Sequence, residues 1–431
     1  RSSDLVELGA GSVTQITPST AQVYNEDTKK FEAPTQTDAE TFNQSRIEIS
    51  GASIRVQGGA KVVAPNGKIS LLASEDASKS ALFGFNDIGK DGSAIVVEDG
   101  ALISAAGLRD VALPMSRNQL NGRLFANELA DSPVQRGGVL YRSEVSADAR
   151  SVVKVANVSG FYNLVGRTAE EVSTKAGTVK IQAQGSTVVA DGAKVDVSGG
   201  SVVYQAGSIT SSLLRKGDTL VRLEDAQAGV KYDELISGTG RGVSAQQASY
   251  VEGKDGGEIQ LFAPQFYIGE GTLKGDVVVG PYQRAGVISS NVNLAKRPDL
   301  YGSIRPLGAR LTLGISEDTA IAMDGVTVSG ARSSRLGSVS GVDAAAVMQQ
   351  VSASALRNQL TADTLNKGGF AGLTVYASGL NVAKEASLDL GATGSFVANK
   401  AGYIQIDGQI KAALVMLDCR LAEMATGEGK T

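Results

Sequence analysis

The amino-acid sequence predicts an all-β protein, built as a parallel β-helix with long loop excursions and one short helix at its side. Three observations favour this architecture: the composition, a short strand motif that recurs in one orientation, and a regular spacing between copies. Gly accounts for 52 of the 431 residues, Pro for 9 and aromatic residues for 5%. Such a composition suits short strands and tight turns better than a thick globular core.

The first recurring motif has the order Gly, any, apolar, any, apolar, any, Ala. Copies begin at Gly67, Gly177, Gly200 and Gly257, and a weaker copy has Ala371 in place of the glycine. The period of two places the apolar side chains on one face of a strand, and the glycine permits the bend that starts it.

A second motif has Asp-Gly, a small or β-branched residue, and alternating apolar residues that end in Ser-Gly. Copies begin at Asp191 and Asp324, and a looser one begins at Asp99. Three short strands and their turns are typical of one coil of a parallel β-helix. Such coils must stack, because a single coil cannot bury its apolar face.

The spacing of the motifs agrees with one coil. From Ile47 to Ile69 is 22 residues, and from Val179 to Val202 is 23. A β-sandwich of antiparallel hairpins shares the alternation and the turn residues and stays open as the alternative architecture.

Residues 1–411 form the repetitive region, but the repeat is interrupted. Two segments without the motif, 108–175 and 208–255, are expected to be long excursions from the stacked coils. Near 343–367 the apolar residues lie four to five positions apart, which predicts a helix against the side of the coils; they are Val347, Val351, Ala355 and Leu360.

Absent residue types exclude several classes of site. The chain has no His, and its single cysteine is Cys419. A His-based catalytic triad, a disulfide framework and a Cys-based zinc site are therefore excluded. The net charge of −4 with interspersed signs gives no sign of nucleic-acid binding, and no apolar run is long enough for membrane insertion. Because the chain starts at Arg1 without Met or a signal peptide, we expect an internal fragment.

Parallel β-helices also include glycan-cleaving enzymes, so paired carboxylates were considered as catalytic groups. The candidate pairs are Glu98 with Asp99, Asp191 with Asp196, and Glu252 with Asp255. The aspartates that precede glycine are expected to stabilise turns. Glu98 and Asp196 are expected to be solvated on strands, and Glu252 and Asp255 to be solvated loop charges.

Two further features have a functional and a structural interpretation. Segments 89–92 and 253–257 resemble calcium-binding turns but lack the nonapeptide repeat, so ordinary turns are expected and no metal. Several tyrosines could stack on sugars if exposed, although core or coil-edge positions are expected for most; they are Tyr162, Tyr204, Tyr232, Tyr250, Tyr267, Tyr282 and Tyr301.

Six segments carry a resemblance to a known family. They are Asn118-Gln-Leu120, Asn127 to Arg136, Val158-Ser-Gly160-Phe-Tyr162, Gly166-Arg-Thr168, Val195 to Gly200, and Tyr250-Val-Glu-Gly253. Across about residues 40–410 the chain resembles the filamentous-haemagglutinin-like exoproteins of bacterial two-partner secretion.

The resemblance implies a right-handed β-helical rod that is secreted to the bacterial cell surface and used for adhesion or cell–cell contact. It also implies two kinds of partner: an outer-membrane two-partner secretion transporter, and a host-cell or glycan surface. The expected function is a structural, non-enzymatic adhesin without cofactors, with the excursions as its binding surface.

The C-terminal segment 412–431 follows a different pattern. From Ala412 to Glu423 there is no Gly or Pro, which favours a helix. The following residues form a phosphate-loop sequence in which Gly427 and Gly429 would turn backbone N–H groups toward phosphates, Lys430 would neutralise them and Thr431 would hold Mg²⁺.

Together with Arg420-Leu-Ala-Glu423, the loop resembles the SecA ATPase of the preprotein translocase. A phosphate loop also needs a following helix and a distant Asp, so we expect a truncated segment without ATPase activity. ATP, Mg²⁺ and a cytoplasmic or inner-membrane-associated location apply only if the chain belongs to a SecA-type ATPase. That fragment and a glycan-active β-helix enzyme are the two alternative functions.

Overall fold

The computed structural model describes residues 5–26, 29–36, 43–76, 91–151, 153–162, 164–237, 243–283, 304–314, 323–332, 334–339, 341, 343–353, 356–391, 393–419 and 422–424. Strands dominate these residues, and the helices are few and short. The predicted all-β class is confirmed.

The strands are short, as expected for a chain with many turns. In chain order they are β1 Leu5–Leu8, β2 Val13–Gln15, β3 Val23–Asn25, β4 Lys30–Glu32, β5 Thr35–Gln36, β6 Arg46–Gly51, β7 Ser53–Val56, β8 Lys61–Val63, β9 Lys68–Ala73, β10 Ala94–Val97, β11 Leu102–Ser104, β12 Val111–Leu113, β13 Gln119–Arg123, β14 Glu144–Asp148, β15 Arg167–Thr168, β16 Thr178–Ala183, β17 Ser186–Val189, β18 Lys194–Asp196, β19 Ser201–Tyr204 and β20 Gly207–Ser211. They continue with β21 Leu213–Lys216, β22 Thr219–Arg222, β23 Glu234–Ile236, β24 Val243–Gln247, β25 Tyr250–Gly253, β26 Glu258–Phe262, β27 Gln265–Ile268, β28 Leu273–Lys274, β29 Ala309–Leu313, β30 Val326–Ser329, β31 Gln359–Thr361, β32 Phe370–Val375, β33 Leu380–Val382, β34 Ser387–Asp389, β35 Ser395–Ala401, β36 Ile404–Ile406, β37 Gln409–Lys411, β38 Leu414–Cys419 and β39 Ala422–Met424.

The described helical segments lie in the excursions and near the C-terminal third of the chain. They are a 3₁₀ turn at Met115–Asn118 and the α-helices α1 Pro133–Arg136, α2 Ser159–Tyr162, α3 Ala169–Val172, α4 Ala344–Ala353 and α5 Ala362–Gly368.

The chain contributes strands to three parallel sheets in turn. Their strand orders are β1-β7-β10-β17-β27, β2-β8-β11-β18-β28 and β6-β9-β16-β26-β29-β32-β35-β38. Each first-sheet strand is followed in the chain by a strand of the second sheet and then by one of the third. After β29 the third sheet alternates with two further parallel sheets, β31-β30-β33-β36-β39 and β34-β37. We call these parallel sheets the stem.

A continuous apolar core lies inside the stem. The in-register pairs place Ile69 beside Val179, Val179 beside Ile259 and Ile259 beside Leu311. Each of these side chains is at most 1% exposed and belongs to one cluster that extends to Phe396 and Ile406. Because burying such a side chain contributes about 1.5–3 kcal/mol, the repeated column is the main source of stability in the stem.

The repeat glycines have a different role from the predicted bend. A Cβ atom on Gly177 would lie 1.9 Å from the carbonyl oxygen of Gly67, and one on Gly257 would lie 1.9 Å from that of Gly177. Glycine is required there because neighbouring backbones approach too closely for a side chain. In the second motif, by contrast, Gly100 and Gly192 have φ of +81° and +88°, which is the turn geometry expected after Asp.

Antiparallel pairing is concentrated in the two excursions. Strands β13 and β14 pair with each other, β20 pairs with β24, and β21 lies between β22 and β23. Residues 115–172 and 207–247 enclose a second hydrophobic core, to which both contribute, for example Leu124 and Val155 from the first and Leu214 and Leu223 from the second. We call this pair of segments the lobe.

Polar side chains connect the two halves of the lobe. The Gln135 amide is fully buried and donates to the carbonyl oxygens of Ala228 and Val230 at 3.1 and 2.7 Å. The Glu224 carboxylate accepts hydrogen bonds from the Asp148 backbone N–H at 2.8 Å and from the Ser211 hydroxyl at 2.7 Å. The excursions therefore form one folded unit rather than two independent loops.

The helix predicted near 343–367 is two helices with a strand between them. Helix α4 covers the outer face of the first sheet, with Val347 and Val351 in a cluster that also contains Val188 and Tyr267. Asn358 then adopts a left-handed conformation with φ of +56°, which a continuous helix does not allow. Strand β31 and helix α5 follow, and Thr361 caps α5 by accepting a hydrogen bond from the Thr364 N–H at 3.2 Å. Ala355 lies outside the described residues.

The helix favoured for 412–423 is wrong. Strand β38 pairs in parallel with β35, and β39 pairs with β36. Helix propensity is a weak preference, and here the edge of the existing sheet satisfies the backbone hydrogen bonds of this segment. Strand pairing consequently continues to Met424.

The described helices are all short. None of them has both the length and the apolar character to span a membrane.

Candidate functional site

A cleft of about 290 Å³ lies where the lobe meets the stem. Its lining combines residues of the first excursion with Tyr204 of β19, with Glu252 and Lys254 at the end of the second excursion, and with Ile304. This volume is at the lower end of the range for small-molecule sites. The cleft is therefore the candidate functional site.

Arg117 and Glu171 close one side of the cleft. Their side chains form an ion pair at 3.2 Å, and both are at most 21% exposed. Arg117 also donates to the carbonyl oxygen of Gly166. Glu171 is placed by helix α3, which begins after Thr168, whose hydroxyl accepts a hydrogen bond from the Glu171 N–H at 3.2 Å.

Arg150 connects the parts of the molecule that meet at the cleft. Its guanidinium donates to both carboxylate oxygens of Asp148, at 3.0 and 2.8 Å, and to the Gln247 side-chain oxygen at 3.0 Å. It also lies over the rings of Tyr250 and Tyr282, 5.3 and 5.9 Å from their centroids. These contacts join both halves of the lobe to the segment after β28.

Three tyrosines pack together beside the cleft, and one of them, Tyr204, belongs to its lining. Tyr204 and Tyr250 are stacked with ring centroids 4.8 Å apart, and Tyr282 meets Tyr250 edge-on at 5.0 Å. The Asn118 amide donates to the Tyr250 hydroxyl at 3.0 Å. Burial raises the pKa of Tyr250 well above its usual range, so this hydroxyl stays neutral.

Most of the seven tyrosines considered in the sequence lie in cores, as expected. Five are buried: Tyr162, Tyr204, Tyr232, Tyr250 and Tyr267. Tyr282 is 52% exposed, and Tyr301 lies outside the described residues. Only Tyr282 among the described members of this set presents much of its ring to solvent.

The cleft is rich in cationic side chains although the chain carries a net charge of −4. Five cationic side chains line it: Arg117, Arg150, Arg167, Lys175 and Lys254. The lining carboxylates are Glu171 and Glu252, which pair with Arg117 and Lys254, and Asp148 pairs with Arg150 from behind. Three of the five lining cations are therefore paired with carboxylates.

Lys175 is the most available of these cations. It is exposed, and the described residues show no hydrogen bond or ion pair to its ammonium group. The remaining lining is largely apolar, with Leu120, Ala149, Val165, Val172 and Ile304. The arrangement can hold an anion beside an apolar group.

The first predicted carboxylate pair is structural, but the expectation that Glu98 is solvated is wrong. Glu98 is 2% exposed and accepts hydrogen bonds from the N–H groups of Gly58 and Gly341, each at 3.1 Å. Arg55 lies 3.7 Å away. Parallel pairing of β7 with β10 brings the turn at Gly58 beside Glu98. The segment that leads to α4 covers Glu98 through Gly341. Burial raises the pKa of the neighbouring Asp99.

The second pair also makes structural contacts. The Tyr267 hydroxyl donates to Asp191 at 2.6 Å, the Glu270 N–H donates to it at 3.2 Å, and burial raises the pKa of Tyr267 to about 12. Asp196 is half-buried, not fully solvated, and accepts from the Ser198 N–H at 2.8 Å. Asp191 is thus occupied by Tyr267 and Glu270 of a neighbouring strand and its turn, and Asp196 is occupied within its own turn.

Of the third pair, only Glu252 lines the cleft. Glu252 is in strand β25 rather than in the predicted loop, and it is 14% exposed beside Lys254. Asp255 is exposed, as expected, and accepts from the Leu307 N–H at 2.9 Å. Within the described residues there is no group of three or more His, Cys, Asp or Glu side chains placed to hold a metal ion.

The predicted phosphate-loop residues Gly427, Gly429, Lys430 and Thr431 lie outside the described residues. The cleft residues Arg117, Arg150 and Lys175 were not predicted as a site. The available signal was the Asp148-x-Arg150 spacing and the concentration of arginine in a segment without the repeat.

A scan against protein-family models gives no match for this chain. Searches of curated proteins and of solved structures give no match either.

Proposed function

We propose that this chain is the stem and lateral lobe of a non-enzymatic surface adhesin, folded as a right-handed parallel β-helix. The observation that carries the proposal is the rotation of the chain through three in-register parallel sheets. A chain that returns to the same sheets on every circuit winds as a coil, and stacked coils make a rigid support for a lateral binding surface.

The place at which the lobe segments are inserted in the chain supports an attachment role. Each excursion is inserted between a strand of the second sheet and the next strand of the third sheet. The first follows β11 and the second follows β18. They return to the next third-sheet strand in register, so the coils continue while the lobe projects. Binding residues are commonly carried by such projections from a rigid support.

The sequence resemblance to filamentous-haemagglutinin-like exoproteins agrees with this arrangement. Its most specific segments, within 118–168, belong to the lobe and line part of the cleft. Under the proposal the chain is carried to the cell surface by an outer-membrane two-partner secretion transporter and contacts a host-cell or glycan surface.

Exposed apolar side chains on the lobe allow a direct test. Phe125, Tyr141 and Leu220 are 48%, 41% and 50% exposed, so replacing them with Ser leaves the core intact. We expect the triple variant of the full chain to bind epithelial cells roughly tenfold less well in flow cytometry, because exposed aromatic and aliphatic groups dominate contact energies.

The matched control replaces Val23, Tyr24 and Phe31, which are 53%, 46% and 66% exposed on the β3–β4 hairpin outside the lobe. This variant should bind like the unchanged chain. Equal attachment by the lobe variant and the unchanged chain, or no attachment by either, would refute the lobe as the contact surface.

A further inference from the structure

We propose that the chain associates head to tail with a second copy of itself, through strand β38 of one copy and strand β6 of the next. These strands are the two edges of the third sheet, the longest sheet of the stem. The association is independent of cell attachment, because neither edge belongs to the lobe.

The apolar column of the third sheet becomes exposed at the β38 edge. Leu373, Phe396 and Val415 are successive members of this column, and the first two are fully buried. Val415 is 46% exposed, because no strand of the described residues follows β38. On the outer face of the same strand, Leu414 and Met416 are 48% and 53% exposed. A strand edge of this apolar content, without Pro or Lys, is open to pairing with another strand.

Strand β6 presents the matching edge. It has six residues, as β38 has, and among the described residues it pairs with β9 alone. All strands of this sheet are parallel, so β38 can meet β6 of a second copy in the geometry in which β35 meets β38. The apolar columns set the register, with Ile47 beside Val415 and Ile49 beside Leu417.

The backbone groups on the open sides of the two strands are in phase for this register. The Ser45 carbonyl oxygen accepts a hydrogen bond from the Lys68 N–H at 2.8 Å, so odd-numbered residues of β6 face β9 and even-numbered residues face the open side. The Leu414 N–H donates to the Gly394 carbonyl oxygen at 3.2 Å, so in β38 the odd-numbered residues face the open side. The two open sets therefore alternate along the contact, as parallel pairing requires.

A second copy is the partner that matches both edges. Strands β1 and β2 are also edge strands in the circuit of β6, and β37 and β39 are edge strands in the circuit of β38. Head-to-tail contact sets one circuit against another, as inside the stem, and leaves a free edge at each end of the pair. Such a contact between unlike surfaces builds an open row of copies, whereas two-fold pairing of two β38 edges stops at a dimer.

Sedimentation velocity of the full 431-residue chain tests the association. We expect monomers at about 1 μM, and dimers, trimers and longer species as the concentration rises to about 1 mM, because each added copy brings a new free edge. A monomer throughout this range, or assembly that stops at dimers, would overturn the proposal.

Two proline variants each block one edge. The N–H groups of Glu48 and Val415 face the open sides, so Glu48→Pro and Val415→Pro remove a donor from the contact but keep the hydrogen bonds to β9 and β35. Each variant alone should associate roughly tenfold or more weakly than the unchanged chain. Glu48→Ala and Val415→Ile keep the N–H group and are the matched controls, which should associate within about threefold of the unchanged chain.

Circular dichroism checks that the variants fold. Inward-pointing lysines at the same edges, Ile49→Lys and Val415→Lys, take the place of a proline variant that loses its strand signal, because an inward charge also prevents edge pairing.

Mixing the two edge variants tests the direction of the contact. A copy blocked at β6 keeps a free β38, and a copy blocked at β38 keeps a free β6, so the mixture should form dimers and nothing longer. A mixture that stays monomeric would overturn the head-to-tail contact. Association of either variant alone at the strength of the unchanged chain would also overturn it, because another surface would then join the copies.

Discussion

The stem and the lobe are stabilised in different ways. In the stem the same apolar positions meet on every circuit, as in the column from Ile69 to Leu311. In the lobe the core joins residues about ninety positions apart in the chain, and polar side chains such as Gln135 and Glu224 fix how the two halves meet. A repetitive interior needs only a consistent pattern, whereas a single-copy interior needs particular partners.

This difference has a consequence for mutation. A smaller side chain in the stem interior leaves a void. The neighbouring strands cannot move together to fill it, because backbone hydrogen bonds fix the distance between them. We expect a substitution in the polar contacts of the lobe to weaken the association of its two halves and to leave the stem hydrogen bonds intact. The following variants measure that contrast, from the largest effect to the smallest.

The largest effect is expected in the stem core. Leu311 is fully buried in the third sheet between β26 and β32. Leu311→Ala should lower the free energy of unfolding by about 2–5 kcal/mol in urea titration, through lost burial and the cavity left behind.

The matched control for that variant is Leu220→Ala, at a leucine that is 50% exposed in the lobe. It should change the free energy of unfolding by less than about 0.5 kcal/mol. A similar small loss for both variants would show that the column of apolar residues does not stabilise the stem.

The next effect is expected in the lobe. Arg150→Met removes the bidentate partner of Asp148, which is 7% exposed, and should cost about 2 kcal/mol. In hydrogen exchange, amides of β13, β14 and β24 should then exchange roughly thirtyfold faster, while those of the stem keep their rates. An equal increase in the exchange rates of the stem amides would contradict the difference between stem and lobe.

A control variant is available on the same hairpin. Arg123 pairs with Glu144 at 3.0 Å, but the two side chains are 54% and 75% exposed. Arg123→Met should therefore change lobe exchange by less than about fivefold, because surface ion pairs contribute about 0–1 kcal/mol.

The sequence predicts the stem better than the lobe for the same physical reason. Alternation in segments such as 177–183 and 257–263 marks strands whatever their neighbours are, and the all-β class follows from it. The role of Gly177 was not predictable from its own segment, because only the pairing of circuits brings the Gly67 carbonyl against it. The division of 343–367 likewise depends on the conformation of Asn358.

The candidate site was predictable only as a region. Both excursions, 108–175 and 208–255, were expected to carry the binding surface. The first lines much of the cleft, whereas the second contributes only Glu252 and Lys254. The contacts of Arg150 with Gln247 and Tyr250 were not predictable, since they join segments about a hundred residues apart. The strand at Leu414–Cys419 was missed because local propensity contains no information about the open edge of β35.

The smallest effect is expected where the first excursion leaves the stem. Asp276, after β28 of the stem, accepts hydrogen bonds from Arg109 at 2.8 Å and from the Ser198 hydroxyl at 2.9 Å. Burial raises the pKa of Asp276, but the hydrogen bonds and the positive charge of Arg109 together outweigh it and hold the pKa below the ordinary value of 3.8. Its ionised form therefore stabilises the fold above pH 3.8, and that contribution is lost as the pH falls through the lowered pKa.

Asp276→Asn should accordingly lower the free energy of unfolding at pH 7 by less than about 1 kcal/mol, since Arg109 and Asp276 are both half-exposed. The difference from the unchanged chain should shrink below pH 3.8 and at high salt. Asp131→Asn, at an exposed aspartate of the lobe, serves as the control and should show no such pH dependence. A loss of equal size at pH 7 and at pH 2 would mean that Asp276 acts through hydrogen-bond geometry and not through its charge. In that case the contact of Asp276 would resemble the neutral contacts of the lobe, such as those of Gln135, more than an ion pair.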